Sequence, residues 1–85
     1  MSGALEKIRE NFSEDEIILA DGFEDALIGV GWSFDKKPSA IYDRTRCIRI
    51  LMKNDGMTEE DAEEYFSYNV EGAYVGERSP IFMLK

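Results

Sequence analysis

The chain is predicted to fold as one α+β domain over residues 1–85, with a small antiparallel sheet packed on one side by an αα-hairpin and a short helix ahead of both. Three observations predict it. Apolar residues alternate with period two over 26–34, two 3.6-residue patterns over 43–54 and 59–71 meet at a Gly-Met-Thr signal, and an apolar run starts at Pro80. One domain is the limit that length sets, because 85 residues bury roughly 60–65% of their extended-chain surface in a single core.

Within residues 2–12, Leu5, Ile8 and Phe12 lie at helical spacing opposite Glu6, Lys7, Arg9 and Glu10, which predicts a short amphipathic helix ending near Asn11. Ile17–Ala20 reads as a short strand, Asp21-Gly22 as a turn, and Phe23–Ala26 as a single helical turn. From Ala26 to Phe34, Ile28, Val30, Trp32 and Phe34 alternate with Leu27, Gly29, Gly31 and Ser33, giving a strand with one bulky face and one nearly bare one on which a helix can pack closely. Asp35-Lys36-Lys37-Pro38 is then a hairpin loop into a strand at Ser39–Tyr42.

Asp43 caps the helix predicted over 43–54, whose inner face carries Cys47, Ile48, Leu51 and Met52, and whose outer face carries Arg46, Arg49 and Lys53. Gly56 suits the left-handed residue that ends it, and Thr58 caps the next, with Met57 and Ala62 as a hydrophobic staple. That second helix, 59–71, is expected to bury Ala62, Tyr65, Phe66 and Val70 and to show Glu60, Glu64 and Glu71 to solvent. Asn69 falls inside its apolar arc, so its amide is expected to tie down backbone of the segment 72–76. Trp32 and Tyr74 read as core residues, and Pro80–Leu84 as a final strand whose proline suits a strand start or sheet edge.

Charge is segregated. Residues 1–25 set eight acids against Lys7 and Arg9 for a net −6, residues 26–55 reach +3, and residues 56–85 return to −5, within a total of −8. The total argues against direct nucleic-acid binding, which depends on phosphate contacts. With no His and a single, core-facing Cys47, the chain lacks the residues of the usual zinc, thiol and imidazole chemistry, and no internal disulfide can form. Asp21, Glu24 and Asp25 match no calcium loop and suit turn and helix-start chemistry. Gly29-Val30-Gly31 lacks the third glycine and the Lys-Ser/Thr of phosphate loops. No catalytic residue, metal or cofactor is predicted, the N-terminus lacks a signal-peptide core, and no run approaches the ~20 residues of a membrane span. The cytoplasm is the expected setting.

Asp21-Gly22-Phe23-Glu24-Asp25-Ala26 with Ile28-Gly29-Val30, then Asp55-Gly56-Met57-Thr58-Glu59-Glu60, Glu64-Tyr65-Phe66, Asn69-Val70 and Gly72-Ala73-Tyr74-Val75-Gly76-Glu77 through Pro80, resemble small accessory proteins of tailed bacteriophages over about residues 20–84. The resemblance brings no activity and no site residue with it; it implies a setting in which small proteins engage host machinery in the host-cell cytoplasm. The leading expectation is a non-catalytic protein that binds a host or phage protein through Glu60, Glu64 and Glu71, as an inhibitor, nucleic-acid mimic or anti-defence factor. The alternative is an oligomeric binder of a nucleotide or other phosphate ligand through Arg44, Arg46 and Arg49. A homodimer is compatible with both.

Overall fold

The computed structural model describes residues 3–13, 16–73 and 79–85 and has the α+β architecture. Helix α1 spans Gly3–Asn11, a single 3₁₀ turn Glu24–Ala26 leads into strand β1 (Leu27–Gly31), and β2 follows at Ser39–Asp43. Helix α2 (Arg44–Asp55) starts directly from β2, helix α3 (Glu59–Phe66) runs on into a π-helical turn at Ser67–Glu71, and β3 is Ile81–Met83. The sheet order is β1-β2-β3, so β2 is the middle strand.

The sheet is mixed, where an antiparallel one was expected. β1 and β2 form the expected antiparallel hairpin, but β3 lies parallel to β2, pairing Ile41 with Ile81, Tyr42 with Phe82 and Asp43 with Met83. Only a short loop forces neighbouring strands antiparallel; the long crossover through α2 and α3 permits the parallel return. Pro80 is buried just ahead of β3, at the start of the strand as its missing N–H requires.

Residues 17–20, expected as a strand, pair with nothing in the sheet. Ile17 and Ala20 are nevertheless buried, and the Ala20 N–H is satisfied by donating to the Tyr42 hydroxyl at 2.8 Å. The core runs on through rings: Tyr42 to Phe82 at 5.7 Å between centroids, Phe82 to Phe66 at 4.9 Å, and Phe66 to Phe23 at 5.5 Å. The last two contacts are edge-on, a favoured geometry for ring quadrupoles. The helices therefore cover the sheet face that bears Tyr42 and Phe82. Its opposite face leaves Ile81 and Met83 exposed.

β1 is shorter than the alternation implies. A register shift between Leu27 and Gly29 breaks the period, and the chain leaves the sheet after Gly31 to turn between Ser33 and Lys36, whose N–H donates to the Ser33 carbonyl at 3.0 Å. Trp32 is consequently 67% exposed rather than a core residue, and Phe34 is 94% exposed. Nor does a helix press on the bare face. A side chain at Gly29 would meet open space, whereas a Cβ at Gly31 would stand 2.7 Å from Cδ1 of Ile41, so it is a neighbouring strand's side chain that fills the room.

The helix boundaries follow their caps. Asp43 Oδ1 accepts the Arg46 N–H at 3.2 Å, Gly56 ends α2 in the left-handed region at φ 67°, and Thr58 Oγ1 accepts the Asp61 N–H at 3.2 Å. Cys47, Ile48, Leu51, Ala62, Phe66 and Val70 are buried as expected, with Met57 partly buried against them; Met52 and Tyr65 are not, lying at the rim. Asn69 is exposed, and its amide donates to the Tyr65 carbonyl at 3.2 Å. The π turn explains this, since Gly72 N–H reaches back five residues to the Ser67 carbonyl at 3.0 Å and the widened turn shifts every later side chain off the α-helical phase. Tyr74 and most of 72–76 lie outside the described residues.

Burial, reinforced by the nearby Asp43 charge, pushes the Cys47 thiol from 9.0 up to about 12. Between those values the unfolded chain releases a proton that the folded chain keeps, so this group's contribution is intact below pH 9.0 and declines above it. Denaturant unfolding of wild type and Cys47→Ala should differ by a constant below pH 9.0, with wild type losing up to about 1.4 kcal/mol per pH unit relative to the variant above it. Parallel curves would contradict the buried thiol.

Candidate functional site

The antiparallel αα-hairpin sets the beginning of α2 beside the end of the α3 element, and the charges expected to form two separate sites meet across that seam. Arg44 Nε donates to Glu71 Oε2 at 3.0 Å and Nη2 to Glu71 Oε1 at 3.3 Å, a two-pronged fork, while Nη1 donates to Glu63 Oε1 at 2.8 Å. The guanidinium carbon stands 5.3 Å from the centroid of the Phe66 ring. The bond to Glu71, opposed in part by burial and supported by Glu63, raises the pKa of Arg44 above its already high ordinary value.

Two expectations are corrected by this clasp. Glu71 does not stand with Glu60 and Glu64 on an outward acidic face, because the π turn carries it towards α2, where it is bonded to Arg44. Arg44 does not stand with Arg46 and Arg49, because its position at the first residue of α2 aims it along the seam; its side chain is 19% exposed and its donors are engaged. Internal charge balance with Glu63 and Glu71 therefore accounts for Arg44.

What remains outward falls into two groups. Arg46, Arg49 and Lys53 line one depression of about 260 Å³ on α2 together with Asp25 and Asn54, so three cations there share space with a carboxylate. On α3, Glu60 and Glu64 are exposed and, among the described residues, in no ion pair. Asp61 and Glu64 line a second depression of about 260 Å³ with Tyr65, Tyr68 and Asn69. Tyr68 is 77% exposed.

The tyrosines are the residues that helical periodicity hides. An α-helical wheel assigns Tyr65 to the core, and Tyr68 has no signal beyond its spacing of three from Tyr65. Side by side among carboxylates they make a surface in which flat, amphipathic rings supply contact area and acids supply orientation.

Gln at position 44 keeps bulk but loses the charge and the fork, leaving Glu63 and Glu71 to repel one another. Arg44→Gln should destabilise the fold by about 1–2 kcal/mol, allowing for the partial exposure of both carboxylates, and Arg44→Lys should recover only part of the loss. Denaturant unfolding with unchanged stability in both variants would show the clasp to be inert. No protein-family model, curated protein or solved structure matches the chain, so the site is defined by its own residues.

Proposed function

We propose that this is a non-catalytic accessory protein of the phage type, acting in the host-cell cytoplasm, that uses the outer face of α3 to grip a basic surface of a host or phage protein. One observation carries the proposal. Of the acids on the α3 element, Glu63 and Glu71 are paired with Arg44, whereas Glu60, Asp61 and Glu64 remain outward next to Tyr65 and Tyr68. An acidic helix face alone is what any solvated helix shows. Two tyrosines at its centre are unusual, because large rings in water forgo burial that a partner would restore, and tyrosines at the middle of an interface commonly dominate its energetics.

The charge arrangement supports the same reading. With the strongest local cation turned inward, the acidic ends of the chain are left to attract a positively charged partner from a distance, while rings and short-range contacts hold it. Exposed carboxylates repeated along a helix also fit a partner whose ordinary ligand is a polyanion, so inhibition by occupying such a site is the form of action that fits best.

Affinity capture from host lysate at low salt, with wild type beside Glu60→Lys/Glu64→Lys and Tyr68→Ala, tests the proposal. Proteins held by wild type should be lost from both variants, by about tenfold or more in affinity, and released as salt rises. Arg46→Glu/Arg49→Glu should hold them unchanged. Equal recovery by all four proteins would sink it.

A further inference from the structure

A different surface, at the hairpin end of the sheet, carries a second inference independent of the α3 face. Where the chain leaves β1, Trp32 turns outward beside Lys36 and Lys37 of the hairpin loop, and together with Ser33, Ser39 and Ser79 they line a groove of about 340 Å³. That volume lies within the range of small-molecule sites. The Phe12 ring meets Trp32 edge-on at 6.5 Å, bracing the indole from the side of α1. Ser39 is only 5% exposed, and Ser79 Oγ is buried without a hydrogen-bond partner among the described residues.

Two of these features run against what folding alone favours. A hydroxyl taken out of water ordinarily finds a partner, yet Ser79 Oγ does not. A tryptophan ordinarily covers its apolar body, yet Trp32 is two-thirds exposed. Beside them, among the described residues, Lys36 and Lys37 are in no ion pair, so their charges are free to meet an anion. One type of ligand answers all three: a flat ring for Trp32, an anion for the lysines, and a hydrogen-bonding oxygen for Ser79, which lines the groove and reaches it once its buried hydroxyl rotates about the Cα–Cβ bond.

We propose that this groove binds a mononucleotide, its base against Trp32 and its phosphate between Lys36, Lys37 and the serine hydroxyls. The rest of the chain selects against a polymer carrying the same chemistry. The acidic segments on either side of the basic middle repel a long polyanion but leave room for a single phosphate at the loop.

Trp32 is the sole tryptophan, so its fluorescence reports on the groove directly. Titration with AMP should quench it saturably, and adenosine or inorganic phosphate alone should bind at least about tenfold more weakly. A single-stranded oligodeoxyadenylate should bind no more tightly than AMP. Lys36→Gln/Lys37→Gln should weaken AMP by about tenfold or more, and Ser79→Ala should weaken it while leaving the unliganded protein at least as resistant to unfolding, since an unpaired buried hydroxyl has been removed. No saturable change up to about 10 mM AMP, or equal affinity in the lysine variant, would overturn the proposal. Tighter binding of the oligonucleotide than of AMP would overturn its restriction to mononucleotides.

Discussion

The fold turns on Tyr42. It sits on the middle strand, paired on one side with Leu27 of β1 and on the other with Phe82 of β3, and it is almost fully buried. Its ring begins the aromatic series that continues through Phe82 and Phe66 to Phe23, and its hydroxyl accepts the Ala20 N–H from a segment with no strand to pair with. A buried donor left without an acceptor is costly, so this hydroxyl holds the unpaired segment to the core alongside the burial of Ile17 and Ala20. The turn at Asp21-Gly22, closed by the Phe23 N–H donating to the Ala20 carbonyl at 3.3 Å, then carries Phe23 onto Phe66.

From this centre the surfaces are distributed. Because β2 passes directly into α2, the capping Asp43 and the clasping Arg44 are the last residue of the central strand and the first of the helix, and the position of β2 fixes where α3 must end. The clasp takes two carboxylates out of the outward field and leaves Glu60, Asp61 and Glu64 in it. At the other end of β2 the strand begins at Ser39, on the wall of the hairpin groove. The acidic, tyrosine-bearing face and the basic, tryptophan-bearing groove thus belong to different elements, and either can be occupied without displacing a core residue.

Much of this is legible in the sequence because it is local. The caps at Asp43, Gly56 and Thr58, the turn before Phe23 and the inner faces of α2 and α3 depend on residues within a few positions of one another, where side-chain chemistry and helical period suffice. What is not legible is set at long range or by a change of period. Parallel pairing of β3 depends on the path of the crossover, the Arg44 clasp links residues 27 positions apart, and the π turn that exposes Asn69 and swings Glu71 inward has no residue signature. Trp32 and Phe34 continue a strand alternation that stops at Gly31, so their exposure is invisible until the turn is placed. The outward Glu60 and Glu64 were legible, whereas Tyr65 and Tyr68 beside them were not.

The most direct measurement is the unfolding of Tyr42→Phe, with amide hydrogen exchange followed at Ala20. The ring and its packing are retained and the hydroxyl is removed, so stability should fall by about 1–3 kcal/mol and the Ala20 amide should lose protection ahead of the amides of α2. If Tyr42→Phe unfolds like wild type and Ala20 exchanges no faster, the hydroxyl is not what holds the unpaired segment to the core.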